Sequence, residues 1–185
     1  MKLPASIARW FGGDRAREEA EAIYAAVSAQ ARRPEPFSEL GVPDSLDGRF
    51  DALCLHMFLV VRRLSREGER GAGLAHGLYD SMFADMDRTL REMGVGDLGI
   101  GKRVTQMAEG LMGRIKAYGD ALDGGQEQLL AAIGRNLVAG SPAANPRAVE
   151  RVAAYLRACD GSLAAQDLDA LLAEGPRFAD WAALS

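Results

Sequence analysis

Apolar residues recur along this chain at the three- and four-residue spacing of amphipathic helices, and alternating β-branched runs are missing. One such stripe is Leu74, Leu78, Met82, Met86, Leu90 and Met93, which predicts a helix over 72–93. Ala16, Ala20, Ile23, Val27 and Ala31 predict another over 14–33, capped by Asp14 and stopped by Pro34 and Pro36. A loop through Phe37, Gly41 and Pro43 is expected next. Residues 53–61 are apolar on nearly every side, so a helix over 46–67, with capping groups in Asp44-Ser-Leu-Asp47, should be central and buried. It emerges at Arg62, Arg63 and Arg66, where the helix dipole favours cations.

Ile100, Val104, Met107, Leu111, Ile115, Tyr118 and Leu122 predict a helix starting near 98 and ending near 120. Shorter patterns predict helices over 126–138, 146–159 and 163–173, the second opened by Asn145-Pro146, with Phe178 and Trp181 packing back. The expected fold is therefore all-α: a single-domain orthogonal bundle of six to seven helices with a central buried helix near 48–66. Ahead of the domain at 14–185, Leu3, Ile7, Trp10 and Phe11 line one side of a segment over 1–13 that also carries Lys2 and Arg9. Such a segment lies on a membrane surface or folds back on the domain.

Composition changes this picture little. The 185 residues are 48% hydrophobic and 26% charged, ordinary for a globular chain that needs no metal or disulfide to fold. The net charge of −4 excludes a strongly basic nucleic-acid binder. The most apolar run, 52–61, is half of the roughly twenty residues a membrane span requires. Cys54 and Cys159 have no CxxC spacing and read as buried, reduced thiols.

Gly94-Val-Gly96-Asp-Leu-Gly99 matches the dinucleotide pattern GxGxxG in letters only, because a helix precedes it where a strand is required. Its glycines read instead as a helix stop at Gly94 and a linker, with Asp97 as the next N-cap. Asp80, Asp85 and Asp87 suggest a carboxylate metal site. Asp85 and Asp87, however, point ~200° apart around a helix and cannot share one ion. His56 and His76 are the only histidines, too few for a Ser-His-Asp or Cys-His constellation with visible partners. The ions of this region pair at helical spacing instead: Asp85 with Arg88, Asp87 with Arg91, Arg88 with Glu92. Arginines are concentrated on the second to fourth predicted helices, at Arg49, Arg62, Arg63, Arg88, Arg91, Arg103 and Arg114. They serve either as scaffold or, with Asp80, Asp87 and Glu92, as a selective protein-binding face.

Several motifs resemble those of the ubiquinol–cytochrome c chaperone family, the assembly factors of the respiratory cytochrome bc complex. They are Tyr24, Gln30-Ala-Arg32, Gly41-Val-Pro-Asp44, Gly48-Arg-Phe50, Leu55-His56, Phe58-Leu59 and Arg62-Arg-Leu64. They continue with Phe83, Asp85-Met-Asp87, the unusual run Leu90-Arg-Glu-Met-Gly-Val-Gly-Asp97, Gly113-Arg114 and Ala117-Tyr118. The likeness covers 20–122. The chain departs from it at Ser38, where the family usually has an aromatic, and at Leu111-Met112 in place of Phe-Tyr.

The resemblance implies an all-helical, non-enzymatic chaperone without cofactor. It implies a newly made cytochrome b as client, with the ribosome and a small partner protein nearby. A chain this short without a transit peptide looks like the bacterial form, cytoplasmic or peripheral at the inner membrane. Together the ionic face and the matched motifs single out Arg49, Arg62, Arg63, Asp80, Asp85, Asp87, Arg88, Arg91, Glu92, Asp97, Arg114 and Tyr118 for partner contact. Met82, Met86, Met93, Met107 and Met112 suggest an adaptable apolar groove between the third and fourth predicted helices. A helical lipid- or quinone-binding module, a general interaction domain and, given a polar pocket joining His56 to carboxylates, an enzyme are the other classes left open.

Overall fold

The fold is organised around one helix whose middle is covered on every side. In the computed structural model, which describes residues 5–139, 141 and 145–184 (the backbone alone at 5–13, 98 and 184), helix α3 spans Leu46–Leu64. Cys54, Leu55, His56, Met57, Phe58, Leu59 and Val60 are each at most 2% exposed, so seven consecutive residues are out of water. That is possible because α1 (Ala5–Ala31), α4 (Gly68–Glu92), α5 (Asp97–Gly124) and α7 (Pro146–Ala165) all pack against it. Helix α6 (Gln126–Asn136) bridges α5 and α7, and the short helices α2 (Glu35–Ser38) and α8 (Leu168–Glu174) complete the all-α, single-domain arrangement. One continuous hydrophobic core runs through it. No helix among the described residues is long and apolar enough to cross a membrane.

The α4 stripe behaves as its spacing requires up to its last member. Leu74, Leu78, Met82, Met86 and Leu90 are buried against α1, α3 and α5, while Met93, at the C-cap beyond those neighbours, is 58% exposed. Gly94 then takes a φ of 80°, Val95 N–H donates to Leu90 O at 3.0 Å, and Gly94 N–H donates to Arg91 O at 2.9 Å. This paired closure is the Schellman stop, which needs a residue without Cβ at the left-handed position. At the start of α3, Ser45 accepts from Gly48 N–H at 3.1 Å and caps the helix. A Cβ at Gly48 would fall 1.9 Å from Pro43 O, so the chain entering α3 crosses directly over this residue.

Several boundaries differ from the expectation. Helix α1 runs through Gly12-Gly13 without a break, so Asp14 lies inside a helix and does not cap one. Two interior glycines weaken a helix by about 1 kcal/mol each without ending it. The amphipathic face expected over 1–13 lies outside the described residues and side chains. The loop after Pro34 contains α2, because prolines at its start have the φ of a first helical turn. Helix α4 begins at Gly68, not 72, directly after a 3₁₀ turn at Ser65–Glu67. Asp97 is not an N-cap: Gly96 holds that position without a side-chain bond. Helix α7 continues through Gly161 to Ala165, and α8 starts at Leu168, capped by Asp167, which accepts from Ala170 N–H at 2.7 Å. The tail packs back as its aromatics suggest, with Trp181 stacked 3.3 Å from Tyr155 and Phe178 edge-on to His56.

Candidate functional site

Where the C-terminal end of α1, the first turns of α3, the last turns of α4 and the middle of α5 meet, the surface is concave. One cleft, of about 230 Å³, is lined by Ser28, Ala31 and Arg32 of α1, by Leu46, Arg49, Phe50 and Leu53 of α3, by Asp85, Met86, Thr89 and Leu90 of α4, and by Met107 of α5. A second, of about 450 Å³, continues between α3 and α5. It shares Leu46, Phe50, Leu90 and Met107 with the first and adds Asp47, Asp51, Arg103, Gln106, Gly110 and Arg114. The two form one groove with an apolar floor and an ionic rim. The methionine expectation holds in part: Met86 and Met107 line the groove, Met82 is core, and Met93 and Met112 are exposed outside its lining.

The rim is built from arginine–aspartate pairs, exposed at Arg49–Asp44 and partly buried at Asp85 and at Asp51–Arg114. Tyr24 O–H donates to Asp85 Oδ2 at 2.8 Å, Arg88 bonds Asp85 Oδ1, and Arg32 Nη2 stands 3.7 Å from Oδ2. Burial, then the bond to Asp85, pushes the Tyr24 phenol well above its usual range. Arg49 pairs with Asp44 at 2.7 Å and lies over the Phe37 ring at 5.3 Å. On the other side Arg114 Nη2 is 2.5 Å from Asp51 Oδ1, Nη1 donates to Gly110 O at 3.1 Å, and the guanidinium lies over Phe50 at 5.4 Å. The Asp51–Arg114 contact is close but not aligned as a hydrogen bond, leaving Asp51 Oδ1 and Arg114 Nε without an aligned partner. Burial pushes the Asp51 carboxyl up to about 6, against the pull of Arg114.

The twelve residues singled out for partner contact divide into four groups. Arg49, Asp85 and Arg114 line the groove, and Arg88 holds Asp85. Asp87, Arg91 and Asp97 form a chain across the α4–α5 turn, Arg91 donating to Asp87 at 2.7 Å and to Asp97 at 2.6 Å. Its hydrogen bond to Arg91 draws the Asp87 carboxyl below its usual range. Glu92 is exposed, and the pair expected with Arg88 is absent because Arg88 is taken by Asp85. Asp80 is exposed beside His76 at 3.6 Å. The remaining three are internal to the fold. Arg62 clamps Asp123 and Asp160 at 2.6 and 3.1 Å. Arg63, buried, donates twice to Gln166 O and also to Glu67. Tyr118 is fully buried against Phe58 with its hydroxyl unpaired.

Phe50, Leu46, Leu53, Arg32, Thr89 and Asp51 were not among the expected contact residues, yet they form much of the groove. Leu46, Phe50 and Leu53 sit three and four apart at the start of α3, a second apolar edge that the dominant run at 53–61 masks. His56 is enclosed: Nδ1 lies 2.8 Å from Ala52 O and Nε2 2.8 Å from the Tyr155 hydroxyl, which in turn accepts from Gln30 at 2.9 Å. With Nδ1 donating to the carbonyl, Nε2 is the acceptor of the Tyr155 proton. Burial lowers the imidazole to about 4. Among the described residues no group of His, Cys, Asp and Glu is placed to hold a metal ion. Cys54 and Cys159 are buried free thiols, both raised by burial, Cys159 to about 11.

Residues 38–178 match the ubiquinol-cytochrome C chaperone family, and the chain belongs to it. It is 26% identical over 123 residues to ubiquinol-cytochrome-c reductase complex assembly factor 1 of Xenopus laevis, covering 66% of this chain and 61% of that protein. To the Mus musculus assembly factor 1 it is 23% identical over 135 residues, covering 73% of this chain and 45% of the relative. The chain therefore spans less than two thirds of the length of either relative. The crystal structure of the Cbp3 homolog from Brucella abortus superposes with a TM-score of 0.78 at 31% identity, over 95% of this chain and 97% of that one. The family match starts later than residue 20 and runs on past 122, through α6, α7 and α8.

Proposed function

We propose that this chain is a non-enzymatic assembly chaperone for the cytochrome bc complex and that its client is newly made cytochrome b, held on the α1–α3–α4–α5 groove. The observation that carries this reading is the groove in a chain of the ubiquinol-cytochrome C chaperone family: an apolar floor of Phe50, Leu53, Leu90, Met86 and Met107, framed by arginine–aspartate pairs. A client made of apolar helices needs adaptable apolar contact, which methionine supplies, and a polar frame that resists nonspecific association. The two curated relatives are named as assembly factors of ubiquinol-cytochrome-c reductase, which supports the same pathway for this chain. The ribosome and a small partner protein are further partners in this reading. The site of action is the cytoplasmic face of the inner membrane, with peripheral contact through 1–13, and neither cofactor nor direct nucleic-acid contact is involved.

A lipid- or quinone-binding module would use the same apolar cleft. Pull-down of tagged chain from its own membranes tests the proposal. Recovery of cytochrome b is expected; recovery of neither cytochrome b nor ribosomal protein overturns it.

A further inference from the structure

The cleft between α1, α3 and α4 is apolar within and unevenly charged at its mouth. Asp85 is the one carboxylate in its lining, and both its oxygens are engaged, Oδ2 by the Tyr24 hydroxyl and Oδ1 by Arg88. Arg32, 64% exposed, is therefore left at 3.7 Å from Asp85, beyond hydrogen-bond length. Arg49, 52% exposed, uses Nε on Asp44 and rests its guanidinium on Phe37, which holds the side chain at the rim while its two terminal amino groups donate no hydrogen bond among the described residues. With Arg88 and Asp44, which hold these groups from outside the lining, three arginines face two carboxylates around this opening.

We propose that this cleft receives a helical segment of a protein partner that presents apolar side chains to the floor and a carboxylate to Arg32 and Arg49. The proposal rests on the chaperone reading above and specifies what the groove recognises. Shape supports a helix. Leu46 to Leu53 is two turns of α3, about 10 Å along the axis, so the floor accepts two or three side chains spaced three or four residues apart. Charge complementarity supports the carboxylate. A guanidinium fork whose terminal amino groups are free matches a carboxylate bidentately, and a pair formed over an apolar floor is less screened than one in open water. Met86 and Met107 form the adaptable part of the floor, while Phe50, under the Arg114 guanidinium, forms its fixed part and Arg49, held on Phe37 and Asp44, a fixed part of the rim.

The test is selection from a displayed library of 16-residue helical peptides randomised on one face and its two edges. Against the intact chain, the enriched peptides carry Asp or Glu on one edge of an apolar stripe, and changing that residue to Gln or Asn weakens a selected peptide about three- to tenfold. Against the Arg32→Gln/Arg49→Gln chain the acidic preference disappears, and against Arg49→Glu it turns toward Lys and Arg. Both arginines are exposed, so circular dichroism of the variants should match that of the parent. Selected peptides without acidic bias, an acidic bias that survives the double change, or a failure to enrich any peptide overturns the proposal. So does displacement of a selected peptide by dodecanoate or by phosphatidylglycerol vesicles, with no displacement by a second acidic helical peptide, since that outcome makes the occupant a lipid. The two readings fail separately. Cytochrome b recovered equally by the parent and by Arg32→Gln/Arg49→Gln sinks this inference alone. An acidic peptide preference with no recovery of cytochrome b sinks the client and leaves the interface.

Discussion

Tyr24 and Asp85 lie sixty-one positions apart in the chain and are joined by a 2.8 Å hydrogen bond that ties α1 to α4 beside the groove. The phenol is nearly buried, and the carboxylate is shared with Arg88 and approached by Arg32, so one bond positions both the cleft wall and its charged mouth. Tyr24→Phe keeps the ring and removes the donor. A hydrogen bond to a charged group contributes about 1.5–3 kcal/mol, so the melting temperature should drop by roughly 3–10 °C. Thermal unfolding followed by circular dichroism measures it, and a change under 1 °C would show that the bond is not holding the wall.

The arginines separate by what they do. Arg63→Ala leaves the buried Gln166 carbonyl without its two donors and should cost about 2–4 kcal/mol in urea unfolding. Arg91→Ala removes only exposed pairs with Asp87 and Asp97 and should cost less than about 1 kcal/mol. Equal losses would contradict the division between scaffold and surface.

Two glycines should differ in the same way. Gly94→Ala meets open space but a φ of 80°, and should lose about 1–2 kcal/mol. Gly48→Ala puts a Cβ 1.9 Å from the Pro43 carbonyl oxygen, a backbone atom, so the entry to α3 must shift and the loss should be clearly larger. Side-by-side denaturation of the two variants decides the order.

Acid should destabilise the fold through His56. Its folded value of about 4 lies below the usual 6.5, so the unfolded chain binds the extra proton between those values and stability falls as pH falls from 6.5 toward 4. The loss from this group alone is about 3 kcal/mol at the low end. Asp51 works in the opposite direction. Its raised value of about 6 means that the folded state binds the proton first, so its contribution grows as pH falls through 6. Asp51→Asn should therefore steepen the acid loss and His56→Gln should flatten it, both read from urea midpoints between pH 4 and 7.5. Parallel pH profiles for the two variants would contradict both assignments.

Much of the fold is legible in residue spacing because most of its helices are amphipathic and bury one stripe. The α4 stripe, the all-round apolar run of α3 and the Asn145-Pro146 opening of α7 could be read directly. Asp14 could not, because a good capping residue next to two glycines looks like a helix start, whereas α1 runs on through all three. Asp97 misled for a related reason: its carboxylate has a nearer partner in Arg91 than in the backbone of its own first turn. The groove was half legible. The α4–α5 methionines pointed to it, but the contribution of Arg32, Phe50 and Asp51 depends on α1 and α3 converging there, which no local pattern encodes. Tyr118 shows the opposite error: a motif residue whose place is in the core.

The central claim is that client contact runs through the groove. Both native cysteines are buried, so a single introduced surface thiol is the reactive one. Met107→Cys places it on the groove floor, and His76→Cys places it on an exposed stretch of α4 outside the groove. With a short thiol-to-amine crosslinker added during pulse-labelled synthesis in the protein's own membranes, labelled cytochrome b should attach to the Met107 position and not to the His76 position. Equal attachment at both, or attachment at His76 alone, would contradict it.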